Sequence, residues 1–227
     1  MKHIVVLTGA GMSAESGIKT FRDADGLWEG HDVMQVATPE GFQDNPELVL
    51  DFYNQRRRQL LTVNPNAAHY DLASLEKDYK VSIITQNVDD LHERAGSSNV
   101  IHLHGELLKV RNVVDELSYF EHQGDIKLGD TCPEGHQLRP HIVWFGEMVP
   151  MMEAAMEVCA TADVLIIIGT SMQVYPAASL MHYVPEGIPI FFIDPKPVMN
   201  SRGNLTVIPE TATKGVKQLL ELLKNKS

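Results

Sequence analysis

Residues 9–22, GAGMSAESGIKTFR, follow directly on the apolar run Ile4-Val5-Val6-Leu7. A short apolar run that breaks into glycines reads as a buried strand entering a tight turn. Gly9 and Gly11 are expected to take positive φ there and to let the backbone approach a pyrophosphate closely. Ser13 is placed to cap a following helix, whose positive end would face the same ligand. The spacing falls short of the dinucleotide fingerprint G-x-G-x-x-G, because Ala14 occupies the third glycine position. Read alone, the segment fits a phosphate-binding turn and an ordinary tight turn equally well.

Further along the chain, apolar runs at residues 81–85, 100–103, 138–145, 164–168 and 190–193 read as strands. Helical periodicity marks residues 46–61, with Leu48, Leu50, Phe52 and Tyr53 on one side and Arg56-Arg57-Arg58 beyond them. Shorter helices are expected over residues 69–77, 153–162 and 216–223. Residues 111–131 lack a long period and read as an irregular insert. Strands alternating with helices specify an α/β fold, a doubly wound parallel (Rossmann-like) sheet with a smaller inserted domain. Ligands of such sheets bind beyond the carboxyl ends of the strands. The polar or glycine-bearing loops after residues 4–7, 81–85, 164–168 and 190–193 should therefore converge on one crevice.

The chain has 227 residues and a formal net charge of −11, which disfavours nucleic acid and anionic membrane as partners. Two cysteines, Cys132 and Cys159, are too few for a disulfide scaffold. Neither a signal peptide nor the roughly 20 apolar residues of a membrane span is evident. A reduced, cytoplasmic protein is the expectation.

The motifs carry more. Residues 9–22 together with Gly26-Leu27-Trp28, then Thr85-Gln86-Asn87-Val88-Asp89-Asp90-Leu91-His92, His104-Gly105, Val143-Trp144-Phe145-Gly146-Glu147 and Gly169-Thr170-Ser171 occur in order along nearly the whole chain. This set resembles the sirtuins, the NAD-dependent protein lysine deacylases. Lys19 is a visible departure, standing where many members carry proline. The resemblance implies a single catalytic domain, with a large NAD-binding part over residues 1–28, 80–108 and 138–227. A small inserted part would span residues 29–79 and 109–137. It implies NAD as a consumed co-substrate and acyl-lysine proteins as substrates, with the chain acting as a monomer.

Residue roles follow from the same resemblance. Gly9, Ala10, Gly11, Ser13, Glu15, Ile18, Phe21, Arg22 and Trp28 would bind NAD from the first signature. Gln86 would contact the nicotinamide ribose, while Asn87 and Asp89 line the nicotinamide pocket. Gly169, Thr170 and Ser171 would hold the adenine-side ribose and phosphates. Asp194, in place of a common asparagine, and Ala212 would complete that end; a carboxylate still accepts from ribose hydroxyls. Alternation places His102 and His104 on one strand face, and the family assigns general-base catalysis to the histidine of the H-G pair, here His104. Val143, Phe145 and Gly146 would border the acyl-lysine tunnel, where a substrate peptide adds as a strand.

Tyr53 and Arg56, at i and i+3, lie on neighbouring helix positions and could hold a carboxylate between phenol and guanidinium. A core tyrosine beside a solvated arginine is the bland alternative. The pair resembles the Tyr-x-x-Arg of class III sirtuins, which accept succinyl- and malonyl-lysine. Most sirtuins also carry four zinc cysteines in the insert, but residues 111–137 keep only Cys132, with Asn112 where the first cysteine is expected. Cys132 with His136 and His122 falls short of the four ligands of a structural site, so no metal is expected. Packing of Val113, Leu117, Tyr119, Phe120 and Ile126 should then hold the insert. Two rivals share the sheet: a dehydrogenase, which lacks its acidic residue after a second strand here, and a non-catalytic NAD sensor or mono-ADP-ribosyltransferase.

Overall fold

The computed structural model describes residues 1–19, 27–28, 30–115 and 118–224. The expected contacts of Phe21, Arg22 and Leu117 lie outside these. In chain order the elements are β1 (His3–Thr8), β2 (Leu27–Trp28), β3 (His31–Asp32), α1 (Val33–Val36), α2 (Pro39–Asp44), α3 (Pro46–Leu60), α4 (Ala67–Ser74), β4 (Lys80–Thr85), α5 (Leu91–Arg94), β5 (Val100–His102), β6 (Gly105–Asn112), β7 (Tyr119–Glu121), β8 (Leu138–Ile142), α6 (Met152–Cys159), β9 (Val164–Ile168), β10 (Ile190–Ile193), β11 (Leu205–Ile208) and α7 (Ala212–Lys224).

Six strands form one parallel sheet in the order β11-β10-β9-β1-β4-β5. Alternation along each strand divides the apolar residues between two layers. Ile4 and Val6, with Ile83 and Ile166, pack under Leu72 of α4 and Val216 and Leu219 of α7. Val5 and Leu7, with Ile84, Leu165 and Phe192, face Ala155 and Cys159 of α6. A sheet covered on both faces is why its strands read as continuous apolar runs. α4, expected in the smaller part, thus packs with the large sheet instead.

The second body is a three-stranded antiparallel sheet, β7-β6-β8, with α1 to α3 against it. Its helices start where the sequence signals them. Thr38 Oγ1 accepts from Gly41 N (3.0 Å) and Asn45 Oδ1 from Leu48 N (3.1 Å), each just ahead of a proline. β7 pairs with β6, so part of the segment read as irregular is a hairpin arm.

The insert is held differently from the expectation. Val113, Tyr119 and Phe120 are exposed, and of the named apolar residues that are described only Ile126 is buried. Its cluster is Leu50, Val110, Ile126, Cys132 and Leu138. Asn54 of α3 clasps both backbone groups of Ile126, donating to its O (2.8 Å) and accepting from its N (2.9 Å). The same Asn54 Oδ1 accepts from Arg57 (2.9 Å), whose Nε donates to Leu107 O (3.1 Å). The middle arginine of the run is therefore fully buried, and burial pushes its guanidinium down to about 10. Among the described residues no group of three or more His, Cys, Asp or Glu side chains is arranged to hold a metal ion, and Cys132 packs in the apolar cluster. Asn54→Ala leaves three buried polar groups without their partner. It should cost about 3 kcal/mol, read as a lower urea midpoint; an unchanged midpoint would show the clasp to be idle.

Candidate active site

The order of the parallel sheet reverses between β1 and β9, so the loops leaving these neighbours diverge and open a crevice. The loops are stitched edge to edge at the carboxyl ends. Gly9 N donates to Ile168 O (3.0 Å), Gly11 N to Gly169 O (2.9 Å), Gly169 N to Ile193 O (2.9 Å) and Gln86 N to Thr8 O (2.9 Å). The convergence expected of the loops after the strands is what the structure shows.

The glycine turn itself departs from expectation. Gly9 is extended (φ −130°, ψ −170°) and Gly11 is not at positive φ; both are small because the next loop lies against them. A Cβ on Gly9 would come 2.8 Å from Thr170 Cβ, and one on Gly11 would come 2.7 Å from Gly169 Cα. Gly169, at φ +61°, does take the left-handed region. Among the described residues no long helix follows. The chain makes two single 3-10 turns, Ala10–Met12 and Ala14–Ser16, and Gly17 at φ +97° ends them. The Ser13 side chain caps neither turn. Its hydroxyl donates to Asp89 Oδ2 (2.9 Å) and accepts from Asn87 Nδ2 (3.1 Å).

These loops enclose a crevice of ≈ 520 Å³. It is lined by Gly9, Ala10, Gly11, Ser13, Glu15, Ile18 and Trp28 from the first signature, and by Gln86, Asn87, Asp89 and His104 from the second and third. Tyr53, Val143, Phe145 and Gly146 close the side toward the smaller sheet, and Gly169, Thr170, Ser171 and Asp194 the other end. Ala212 is not in the wall; it packs into the core under the sheet, and Thr211 lines the crevice in its place. Glu15 reaches past the crevice to the start of α7, accepting from Thr211 Oγ1 (3.2 Å), Thr213 N (2.9 Å) and Thr213 Oγ1 (2.7 Å). Glu15 and Thr211 are far apart in sequence, so no local signal marks Thr211.

The polar chain Asn87–Ser13–Asp89 is buried. Burial raises the Asp89 carboxyl to about 6, with the bonds from Ser13 and Leu91 N pulling the other way. His104 Nδ1 lies 3.1 Å from Gln86 O. A carbonyl only accepts, so Nδ1 carries the proton and Nε2 holds the free lone pair. Burial lowers the His104 pKa, more than the bond to Gln86 raises it, which favours the neutral ring. β5 ends at His102, so strand alternation does not govern His104. His102 is held instead by Asn87 O (3.2 Å) and Glu93 Oε1 (2.7 Å) and is absent from the crevice wall. Gly105 is required next to the histidine: at φ +82°, a Cβ there would come 2.1 Å from His141 O.

Tyr53 faces both this crevice and an adjoining cavity of ≈ 50 Å³; Arg56 lines only the latter, over the Phe52 ring (5.4 Å). Lys19, the departure from proline, lines both. Arg58 pairs with Asp125 at 2.6 Å, so the three consecutive arginines have three different surroundings. The backbone of the third signature is anchored by Val143 N on His104 O (2.9 Å) and Phe145 N on Ala37 O (2.9 Å). That tie fixes the wall against the histidine loop.

A family model described as the Sir2 family matches residues 9–176. The chain belongs to the Sir2 family. Relatives named NAD-dependent protein deacylase include one from Helicobacter pylori, 57% identical over 225 residues, covering 98% of each chain. Another, from Bacteroides thetaiotaomicron, is 55% identical over 232 residues with the same coverage. Among solved structures, a Sir2 homologue–NAD complex superposes with a TM-score of 0.88 at 41% identity, covering 99% of this chain and 90% of that one. A mutant Sir2 homologue bound to ADP-ribose gives a TM-score of 0.89 at 41% identity, over 99% and 93% of the two chains. In this sirtuin every described site residue named from the sequence, apart from Arg56 and Ala212, borders the one crevice.

Proposed function

We infer that the chain is an NAD-dependent protein deacylase, and we propose that it removes succinyl and malonyl groups from lysine as well as acetyl. The crevice suits a dinucleotide: the buried amide, hydroxyl and carboxyl of Asn87, Ser13 and Asp89 lie toward one loop pair, the Asp194 carboxylate and Thr170 hydroxyl toward the other. NAD, consumed as co-substrate, supplies the labile glycosidic bond to nicotinamide and the ADP-ribose that receives the acyl group. Asn87 and Asp89 hold the carboxamide, and their own fixed hydrogen bonds set its orientation. His104 takes a proton at Nε2 from the ribose hydroxyl that attacks the acyl carbon, while Gln86 O keeps the ring in the required tautomer. The acyl-lysine enters beside Val143, Phe145 and Gly146, its peptide pairing as a strand. The observation that carries the reading is a histidine whose Nδ1 is held by Gln86 O, lining the same crevice as the Asn87–Ser13–Asp89 chain.

The acidic-acyl part rests on Tyr53 and Arg56 bordering one cavity next to that crevice. The forked guanidinium and the phenol hydroxyl would hold the distal carboxylate. Mass spectrometry of one peptide carrying acetyl-, succinyl- or malonyl-lysine, with and without NAD, tests it: NAD-dependent loss of all three is expected. Arg56→Met should lower the succinyl-to-acetyl ratio of kcat/KM by about 10–100-fold, the worth of a charged hydrogen bond. An unchanged ratio would remove the clamp and leave the deacylase. No described helix is long and apolar enough to cross a membrane, and we place the enzyme in the cytoplasm, acting as a monomer.

A further inference from the structure

We propose that Trp144 is a specificity-positioning residue: its indole N–H turns the Tyr53 hydroxyl into a donor aimed at an acidic acyl group. The inference rests on the acidic-acyl reading above. It starts from a hydrogen bond whose direction admits no ambiguity. Trp144 Nε1 lies 3.0 Å from Tyr53 Oη, and an indole nitrogen can only donate. The phenol oxygen is therefore the acceptor, and its own proton must point elsewhere. Among the described residues that proton has no acceptor, although Tyr53 is 1% exposed. The side chain borders both the main crevice and the small cavity shared with Arg56. A buried O–H without a partner is costly, and a ligand carboxylate is the acceptor that relieves it beside a guanidinium.

The sign of this effect depends on the residue at 144. An accepting side chain there would capture the phenol proton, and the oxygen lone pairs would then face the cavity and repel a carboxylate. A donor does the reverse. Trp144 is itself held rigidly. Its backbone N donates to Glu147 Oε2 (2.8 Å), and the Arg139 guanidinium stacks on its ring at 3.3 Å from the centroid. Glu147 is in turn fixed by Arg139 (2.7 Å) and Arg111 (3.2 Å). Such an anchored donor keeps its geometry whether or not substrate is present, so little ordering cost falls on binding.

The test compares wild type, Trp144→Phe, Tyr53→Phe and the double variant on one peptide bearing succinyl- or acetyl-lysine. Tyr53→Phe should lower the succinyl-to-acetyl ratio of kcat/KM by about 10-fold or more, and Trp144→Phe by about 5-fold, mainly through the KM for the succinyl peptide. Because Trp144 acts through Tyr53, the double variant should fall no further than Tyr53→Phe alone, within about 2-fold. A Trp144→Phe enzyme that loses both activities in equal proportion would show a merely structural residue and overturn the inference. Multiplying losses in the double variant would overturn it too. If Arg56→Met abolishes selectivity while Trp144→Phe leaves it intact, the inference fails and the clamp stands. A wild-type enzyme that does not remove succinyl sinks both.

Discussion

Replacing His104 with alanine should lower kcat for deacylation by about 10²–10⁴-fold, the usual worth of a positioned general base. The loss belongs to kcat because His104 is one of many groups lining a crevice whose walls are pinned by backbone bonds that the substitution leaves in place. Thermal shift with ADP-ribose should therefore match wild type. The pH profile adds a second check. Burial lowers the imidazole pKa, so the acid limb of the wild-type profile, as the ring gains its proton, should be centred below pH 6.5. Fluorescent release from an acetyl-lysine peptide between pH 5 and 8 measures this. A decline already centred above pH 6.5, or a variant retaining more than a tenth of the activity, would assign the base elsewhere.

Asp89→Asn should separate activity from stability. Asp89 is a buried carboxyl held by Ser13 Oγ and Leu91 N, and its pKa stands at about 6 against an ordinary 3.8. Below pH 3.8 the group is protonated in the folded and unfolded chains alike and contributes nothing to stability. As pH rises from 3.8 to 6 the unfolded chain releases the proton first, so the folded state loses stability. Above pH 6 the loss is complete, about 2–3 kcal/mol at 1.36 kcal/mol per unit. The neutral amide escapes this loss: its one oxygen accepts from Leu91 N while its Nδ2 donates to the Ser13 hydroxyl. Urea denaturation should thus find Asp89→Asn more stable than wild type at pH 7.5, with the gap closing toward pH 4. Deacylation should fall by about 10²-fold, since a group that lines the crevice and is proposed to face nicotinamide changes from charged acceptor to mixed donor and acceptor. A variant less stable than wild type at pH 7.5 would mean that the carboxylate is better solvated than its burial implies. Stability gained where activity is lost is the expected mark of a functional site.

Much of this was legible from residue order. The runs at residues 81–85, 164–168 and 190–193 are buried on both faces, and a strand of that kind leaves an unbroken apolar signal. α3 was equally plain from its period and its Asn-Pro start. β11 was not, because Leu205-Thr206-Val207-Ile208 is a short edge strand that matters only once β10 lies beside it. The burial of Arg57 was hidden inside an arginine run: its acceptor Leu107 O comes from β6, and its neighbour Asn54 on the same helix is fixed by Ile126, 72 residues away.

The sequence by itself determined five of the six strands of the large sheet and the loops that meet at their carboxyl ends, and the motifs it shares with the family named the residues around the crevice. Apolar runs and the polar or glycine residues that follow each are local quantities, and they are enough to place the carboxyl ends of the strands. Only the tertiary structure decided the roles of the glycines, which are small to admit Gly169 and Thr170 rather than to reach positive φ. It alone turned Ser13 from a helix cap into the link between Asn87 and Asp89, replaced Ala212 by Thr211 in the wall, and set Trp144 against the hydroxyl of Tyr53. Each of these joins residues distant in the chain, and the direction of a hydrogen bond or the clash of a missing Cβ exists only once both partners are in place.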